Sequence, residues 1–164
     1  MSTEKKIIIL STLATILILI GGVFWLGSSS APEIKGSQYA KAMASVTNGD
    51  YGRIPMNNGN VTKEFTIKNT GTDFLKLFNI KTSCHCTKAY VSIENNQSPS
   101  FGMDTYSSWV GEVLPGKEAK LNVVFDPAYH GPAGVGPISR YVSVETNDQS
   151  NSKLTFTVVG TVFK

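Results

Sequence analysis

Cysteine and histidine each occur only twice in the 164 residues, and charged side chains make up only 16% of them. The cysteines, Cys84 and Cys86, are separated by one residue. That spacing excludes the disulfide framework of a small secreted scaffold, which needs distant pairs closing longer loops. No Cys-x-x-Cys redox motif, Cys-x-x-Cys-His haem attachment, Walker loop or Gly-x-Ser-x-Gly nucleophile elbow occurs. The net charge is only +3, and from Tyr51 to Lys164 there are 11 basic against 9 acidic side chains. With no basic stripe or arginine cluster, the chain lacks the electrostatic footprint of a nucleic-acid binder. Gly131 to Pro137 (GPAGVGP) is followed by neither Lys-Ser nor Lys-Thr, so it reads as a hairpin loop rather than a phosphate cradle.

What the chain does have begins with the run Ile7 to Leu26, twenty residues without a charge. About twenty apolar residues are what a helix needs to cross a hydrocarbon core. Lys5 and Lys6 precede the run and GSSSAPE follows it, so the positive-inside tendency puts residues 1–6 in the cytoplasm and everything after residue 26 outside. A cleaved signal peptide is the competing reading, but its apolar region is about 7–15 residues and Pro32 would follow the only small-residue site, Ser29-Ser30-Ala31. No cysteine follows the run to carry a lipid. Residues 27–49 are rich in Ser, Gly and Ala and read as a linker, with Gln38 to Val46 as a candidate short helix. The expected protein is a single-pass membrane protein with an extracytoplasmic domain over residues 50–164.

Within that domain the period changes to two. Val61, Phe65 and Ile67 alternate with Thr62, Glu64, Thr66 and Lys68, the pattern of a half-buried strand. Asn69-Thr70-Gly71 supplies a turn. Phe74 to Ile80 is a short apolar run, Ala89, Val91 and Ile93 alternate again, and Asn95 to Ser100 is polar with a proline. Leu114-Pro115-Gly116-Lys117 turns into Ala119, Leu121, Val123 and Phe125, and Asp126-Pro127 closes that strand. Ile138, Val142 and Val144, then Leu154, Phe156 and Val158, complete the set. About seven short strands separated by turn signals predict an all-β antiparallel sandwich around one core.

The succession YGRIPMNNGNVTKEFTIKNTG, SCHCT, a Pro-Gly turn, LNVVFDP, VSVETND and VVGTV resembles a bacterial family of unknown function, whose exported domains have an immunoglobulin-like fold of the major sperm protein and hydin type. The resemblance covers about Asp50 to Lys164 and rests on the N-T-G and S-C-x-C-T segments. It implies an immunoglobulin-like sandwich and an exported location, and no reaction. Members typically carry Ser-Cys-Gly-Cys-Thr, and His85 stands in place of the glycine here.

Ser83 to Thr87 concentrates the unusual chemistry. In an extended strand Cys84 and Cys86 would face one side and His85 the other. Their Cα atoms would then lie about 6.5 Å apart, so a disulfide would require a local bend. Three readings stay open for the pair: structural thiols, a reversible redox pair, and two soft ligands for a metal. Met103 and His130, on separate loops, are the candidate further ligands, and two sulfurs with a thioether and an imidazole suit copper. A cysteine nucleophile would need a base and an orienting partner, for which Cys84 or Cys86, His130 and Arg140 are the available trio. The Thr-Leu-x-Thr-Cys strand of a sortase, with its histidine earlier in the chain, is absent, and an enzyme is not expected. The expected function is an envelope binding or adaptor module with a protein partner. A copper-binding module using Cys84 and Cys86 is the alternative and a thiol redox protein the second.

Overall fold

The computed structural model describes residues 3–26 and 34–164, with the backbone alone at 20–26. Helix α1 (Thr3–Leu26) belongs to one compact unit, and Lys35–Lys164 form a second. The apolar side chains of α1 described between Ile7 and Leu19 are exposed on all sides of the helix rather than gathered in a stripe. Among the described residues no helix is long and apolar enough to cross a membrane. The expected span over Ile7 to Leu26 runs into residues 20–26, whose side chains lie outside the described ones.

The second unit is a sandwich of two five-stranded sheets. Its strands are β1 (Ala42–Met43), β2 (Asn48–Pro55), β3 (Val61–Asn69), β4 (Leu75–Thr82), β5 (Thr87–Ile93), β6 (Asn96–Gln97), β7 (Gly111–Val113), β8 (Glu118–Phe125), β9 (Gly136–Thr146) and β10 (Lys153–Phe163), with a 3-10 turn η1 (Gly131–Gly134) before β9. One sheet runs β1-β3-β8-β5-β6 and the other β2-β10-β9-β4-β7. The all-β, immunoglobulin-like expectation therefore holds, with ten strands where about seven were read. The additional strands carry no period-two signal. β1 and β6 have two residues each and β7 three, while β2 contains two glycines and a proline.

The alternation read from the sequence is the burial pattern of the sandwich. Phe65 and Ile67 on β3, Leu121 and Val123 on β8, and Ala89 and Val91 on β5 project inward from one sheet. Leu75 and Leu77 on β4, Val142 and Val144 on β9, and Phe156 and Val158 on β10 meet them from the other. Phe65 and Phe156 pack ring to ring across the interior, centroids 5.1 Å apart. Each fully buried Val, Leu, Ile or Phe among them contributes about 1.5–3 kcal/mol of transfer free energy.

Three expectations are corrected. The linker does not reach residue 49, because residues from Lys35 belong to the sandwich unit and Ala40 and Ala42 are buried in its core. No helix forms over 38–46. Instead β1 pairs with the end of β3, and nine residues without tertiary support would be marginal as a helix in any case. Nor is the sandwich wholly antiparallel. β2 lies parallel to β10, with Asn48 opposite Thr157 and Pro55 opposite Phe163, because the two strands enter the sheet edge running in the same direction.

The N-T-G segment acquires a physical meaning at the end of β3. Asn69 is fully buried. Its amide donates to the carbonyls of Asp73 and Val113, both at 2.8 Å, and its Oδ1 accepts the Gly71 amide at 3.0 Å. A Cβ at Gly71 would run into the Tyr39 carbonyl and lie 2.7 Å from the Lys41 amide, so only glycine lets the segment leading to β1 pass. Gly116 has the positive φ, +76°, that the Pro115-Gly116 turn requires.

Candidate functional site

At one end of the sandwich a small apolar cluster of Ile54, Phe125, Ile138 and Val162 has the Cys86 side chain embedded in it, with Cys84 packed on top. The cysteine stretch is not a strand here. It is the β4–β5 turn, closed by the Thr87 amide on the Cys84 carbonyl at 3.1 Å. This bend brings the Cα atoms of Cys84 and Cys86 to 5.2 Å, and the two sulfurs are joined in a disulfide. The bend that a bridge required is therefore present, and the same-face geometry of an extended strand is corrected.

Neighbouring strands hold the turn from three directions. Ser83 exchanges two hydrogen bonds with β9: its amide donates to the Tyr141 carbonyl at 3.0 Å and its Oγ accepts the Tyr141 amide at 2.9 Å. The Asp126 amide, just past β8, donates to the Cys86 carbonyl at 2.9 Å. From inside the turn the Thr82 hydroxyl lies 3.1 Å from the Cys84 carbonyl and 3.0 Å from that of Thr87.

His130 is delivered by the β8–β9 connection. Asp126 starts that connection, as its carboxylate accepts the Ala128 amide at 2.9 Å, and η1 follows directly after His130. The exposed imidazole, set edge-on to Tyr129, brings Nε2 to 3.5 Å from Cys84 Sγ. Arg140 comes from β9 and donates from Nε to Cys86 Sγ at 3.2 Å, while its Nη1 donates to the Ser139 carbonyl. The ligand atoms of Cys84, Cys86 and His130 all lie within 4.8 Å of one another.

Of the four residues expected to form a metal site, the structure thus joins Cys84, Cys86 and His130. Met103 is 43% exposed on the turn after Phe101 and shares no described hydrogen bond with the cluster. Beside it Asp104 pairs with His85 at 3.3 Å, so His85 does turn away from the sulfurs. The sequence expectation includes Arg140 only in a nucleophilic trio, whereas the structure places it beside Cys86 as a hydrogen-bond donor. A signal for it existed. Arg140 has the parity of Ile138, Val142 and Val144, the inward-facing residues of β9, and a charge on the apolar parity of a strand calls for a partner.

The arrangement is a β-sandwich end that presents a cystine, an imidazole and a guanidinium to solvent. A family model described as "Protein of unknown function (DUF1573)" matches residues 43–101, a stretch that includes Asn69-Thr70-Gly71 and Ser83 to Thr87. No curated protein matches the chain. Among solved structures it is similar to a protein of unknown function from Porphyromonas gingivalis W83, with 19% identity, a TM-score of 0.58, 79% of this chain covered and 50% of that one. The chain thus spans about half the length of that protein, and the likeness is one of fold alone. It is also similar to PapD-like domain 7 of human CEP192, with 18% identity, a TM-score of 0.46 and coverage of 81% and 92%. The C. elegans major sperm protein family member WR4 follows, with 12% identity, a TM-score of 0.44 and coverage of 74% and 97%. Over residues 43–101 the family match agrees with the resemblance drawn from the sequence at the level of a family of unknown function.

Proposed function

We propose that the chain is an extracytoplasmic immunoglobulin-like binding module, tethered by its N-terminal helix, that engages an envelope protein. The observation that carries this reading is the division of labour in the sandwich. Its interior between the sheets is filled with apolar side chains, and its polar chemistry stands outward at one end, where binding loops gather on such scaffolds. Supporting the tether are the uncharged run Ile7 to Leu26 and the flanking Lys5 and Lys6. The hydroxyls of Ser11, Thr12 and Thr15 also bond back to carbonyls of their own helix, as a segment in hydrocarbon requires. The test is crosslinking of the full chain in intact cells, with photoreactive groups placed at Tyr129 and Tyr141. Capture of the same protein from both positions, and not from Glu64 on the outer face of β3, is the expected result. Failure to capture any protein from a correctly exported chain counts against it.

A second reading, a module that binds a soft metal such as copper, is favoured by the convergence of Cys84, Cys86 and His130. Two thiolates and an imidazole are the donor set that Cu(I) prefers. It is tested by anaerobic titration with Cu(I), in which a Cys84→Ser, Cys86→Ser variant must lose the uptake that the reduced protein shows.

A further inference from the structure

The geometry points to a redox-gated Cu(I) site, in which the Cys84–Cys86 disulfide is the closed state and the dithiol with His130 the open one. It rests on the soft-metal reading and adds to it the gate and the role of Arg140.

The starting observation is a mismatch of charge. Arg140 aims Nε at Cys86 Sγ from 3.2 Å, and the opposite sulfur has the His130 imidazole at 3.5 Å. A sulfur in a disulfide is neutral and a weak acceptor, so a guanidinium held against it gains little. Against a thiolate the same contact is a charge-assisted hydrogen bond, roughly twice as strong as a neutral one. The side-chain placement therefore matches a negative charge that only the opened pair carries.

Cu(I) matches that charge more closely than Zn(II) does. Two thiolates with Cu(I) carry one net negative charge, and one guanidinium neutralises it. Two thiolates with Zn(II) are already neutral, so Arg140 would leave the site positive. The ligand count points the same way, since among the described residues three of the His, Cys, Asp or Glu type converge here, whereas structural zinc sites are almost always four-coordinate. Cu(I) accepts three soft donors, and the separation of Cys84 Sγ from His130 Nε2 is already close to that of two ligands on one metal. Opening the disulfide needs only local movement, because Cys84 and Cys86 sit on one turn with Cα atoms 5.2 Å apart.

The gate balances as an ordinary thiol–disulfide exchange. An external dithiol attacks the Cys84–Cys86 bond, is itself oxidised to a disulfide, and transfers two electrons and two protons to the cysteines. Cu(I) then displaces both thiol protons, leaving two Cu–S bonds, a Cu–N bond to His130 Nε2 and the guanidinium beside Cys86 Sγ. Cys84 is the partly exposed member and Cys86 is 2% exposed, so the exchanging thiolate reaches Cys84 first.

The experiment uses the full chain in detergent, under argon, with Cu(I) delivered from its bicinchoninate complex. One preparation is oxidised and the other reduced, each verified by thiol counting. The reduced protein is expected to withdraw one equivalent of Cu(I) and the oxidised protein none. X-ray absorption should show two sulfurs and one nitrogen around the metal. His130→Ala, an exposed substitution, should weaken binding at least tenfold and leave two sulfurs. Arg140→Gln should keep the ligand set and weaken binding about 10–100-fold, the range for residues that support metal ligands. If the reduced protein takes up no more Cu(I) than the Cys84→Ser, Cys86→Ser variant, the metal reading itself fails. Equal uptake by the oxidised and reduced proteins leaves the metal reading standing and overturns the gate. Unchanged affinity in Arg140→Gln overturns the charge argument.

Discussion

Replacing Asn69 by alanine tests the reason for the N-T-G segment. The Asn69 side chain makes three short hydrogen bonds in a fully buried setting, two given by its amide to the Asp73 and Val113 carbonyls and one taken from the Gly71 amide, besides a longer one from the Lys41 amide at 3.5 Å. At about 1 kcal/mol for each buried bond, the loss is about 3 kcal/mol. It is larger if the Val113 carbonyl, itself in the core, finds no replacement. At about 4 °C per kcal/mol for a unit of this size, the midpoint of thermal unfolding should fall by about 12 °C. The assay is far-UV circular dichroism of the strand signal in detergent, with Thr70→Ala as control. Thr70 is the exposed neighbour, and its hydroxyl makes no described hydrogen bond, so that variant should stay within about 0.5 kcal/mol of the parent. An Asn69→Ala midpoint within 2 °C of the parent, or an equal fall in Thr70→Ala, would refute the reasoning.

Three further outcomes are expected. A chain starting at Lys35 should keep the full urea midpoint of the sandwich, while one starting at Asp50 should lose about 3 kcal/mol or more, since it forfeits buried Ala40 and Ala42 and the Ala42 amide bound to Asp148; equal midpoints would show that residues 35–49 are a linker after all. Burial pushes the Asp148 carboxyl up, but the amides of Ala42 and Ser150 and the Lys41 ammonium outweigh it and hold the group below its ordinary value, and Ser37 and the Phe74 amide lower Asp73 likewise. A depressed carboxylate stabilises the fold above its unfolded value, about 3.9, so stability should be flat from pH 7 to 5 and fall below about pH 4; an acid slope unchanged in Asp148→Asn would exonerate Asp148. Reducing the Cys84–Cys86 disulfide should cost under about 2 kcal/mol, because a bridge across one residue closes almost no loop. Unfolding on reduction, followed by tryptophan fluorescence, would make the bridge structural rather than a gate.

The strands legible in the sequence are those with one buried face, β3, β4, β5, β8, β9 and β10, where the apolar pattern is imposed by the core. β1, β2, β6 and β7 were not legible, since each is a short or glycine-bearing strand whose place depends on a neighbour rather than on its own pattern. The same distinction governs the site. Cys84, Cys86 and His130 stand out by rarity, and Met103 by its thioether on a polar loop, but rarity does not carry distance. Arg140 could be singled out only by its parity on β9.

By itself the sequence determined the uncharged N-terminal run, the period-two strands and which parity of each strand is buried, because these depend on residues within one short segment. The tertiary structure alone decided that the cysteine stretch bends into a turn, that β2 runs parallel to β10, and that His130 and Arg140 reach opposite sulfurs. Each of these depends on pairings between residues far apart in the chain. The register placing both Thr87 and Val61 opposite Phe125, and the clasp of Ser83 on Tyr141, carry the turn to its partners. Periodicity records which face of a strand meets the core, and it holds no information about which loop ends meet each other.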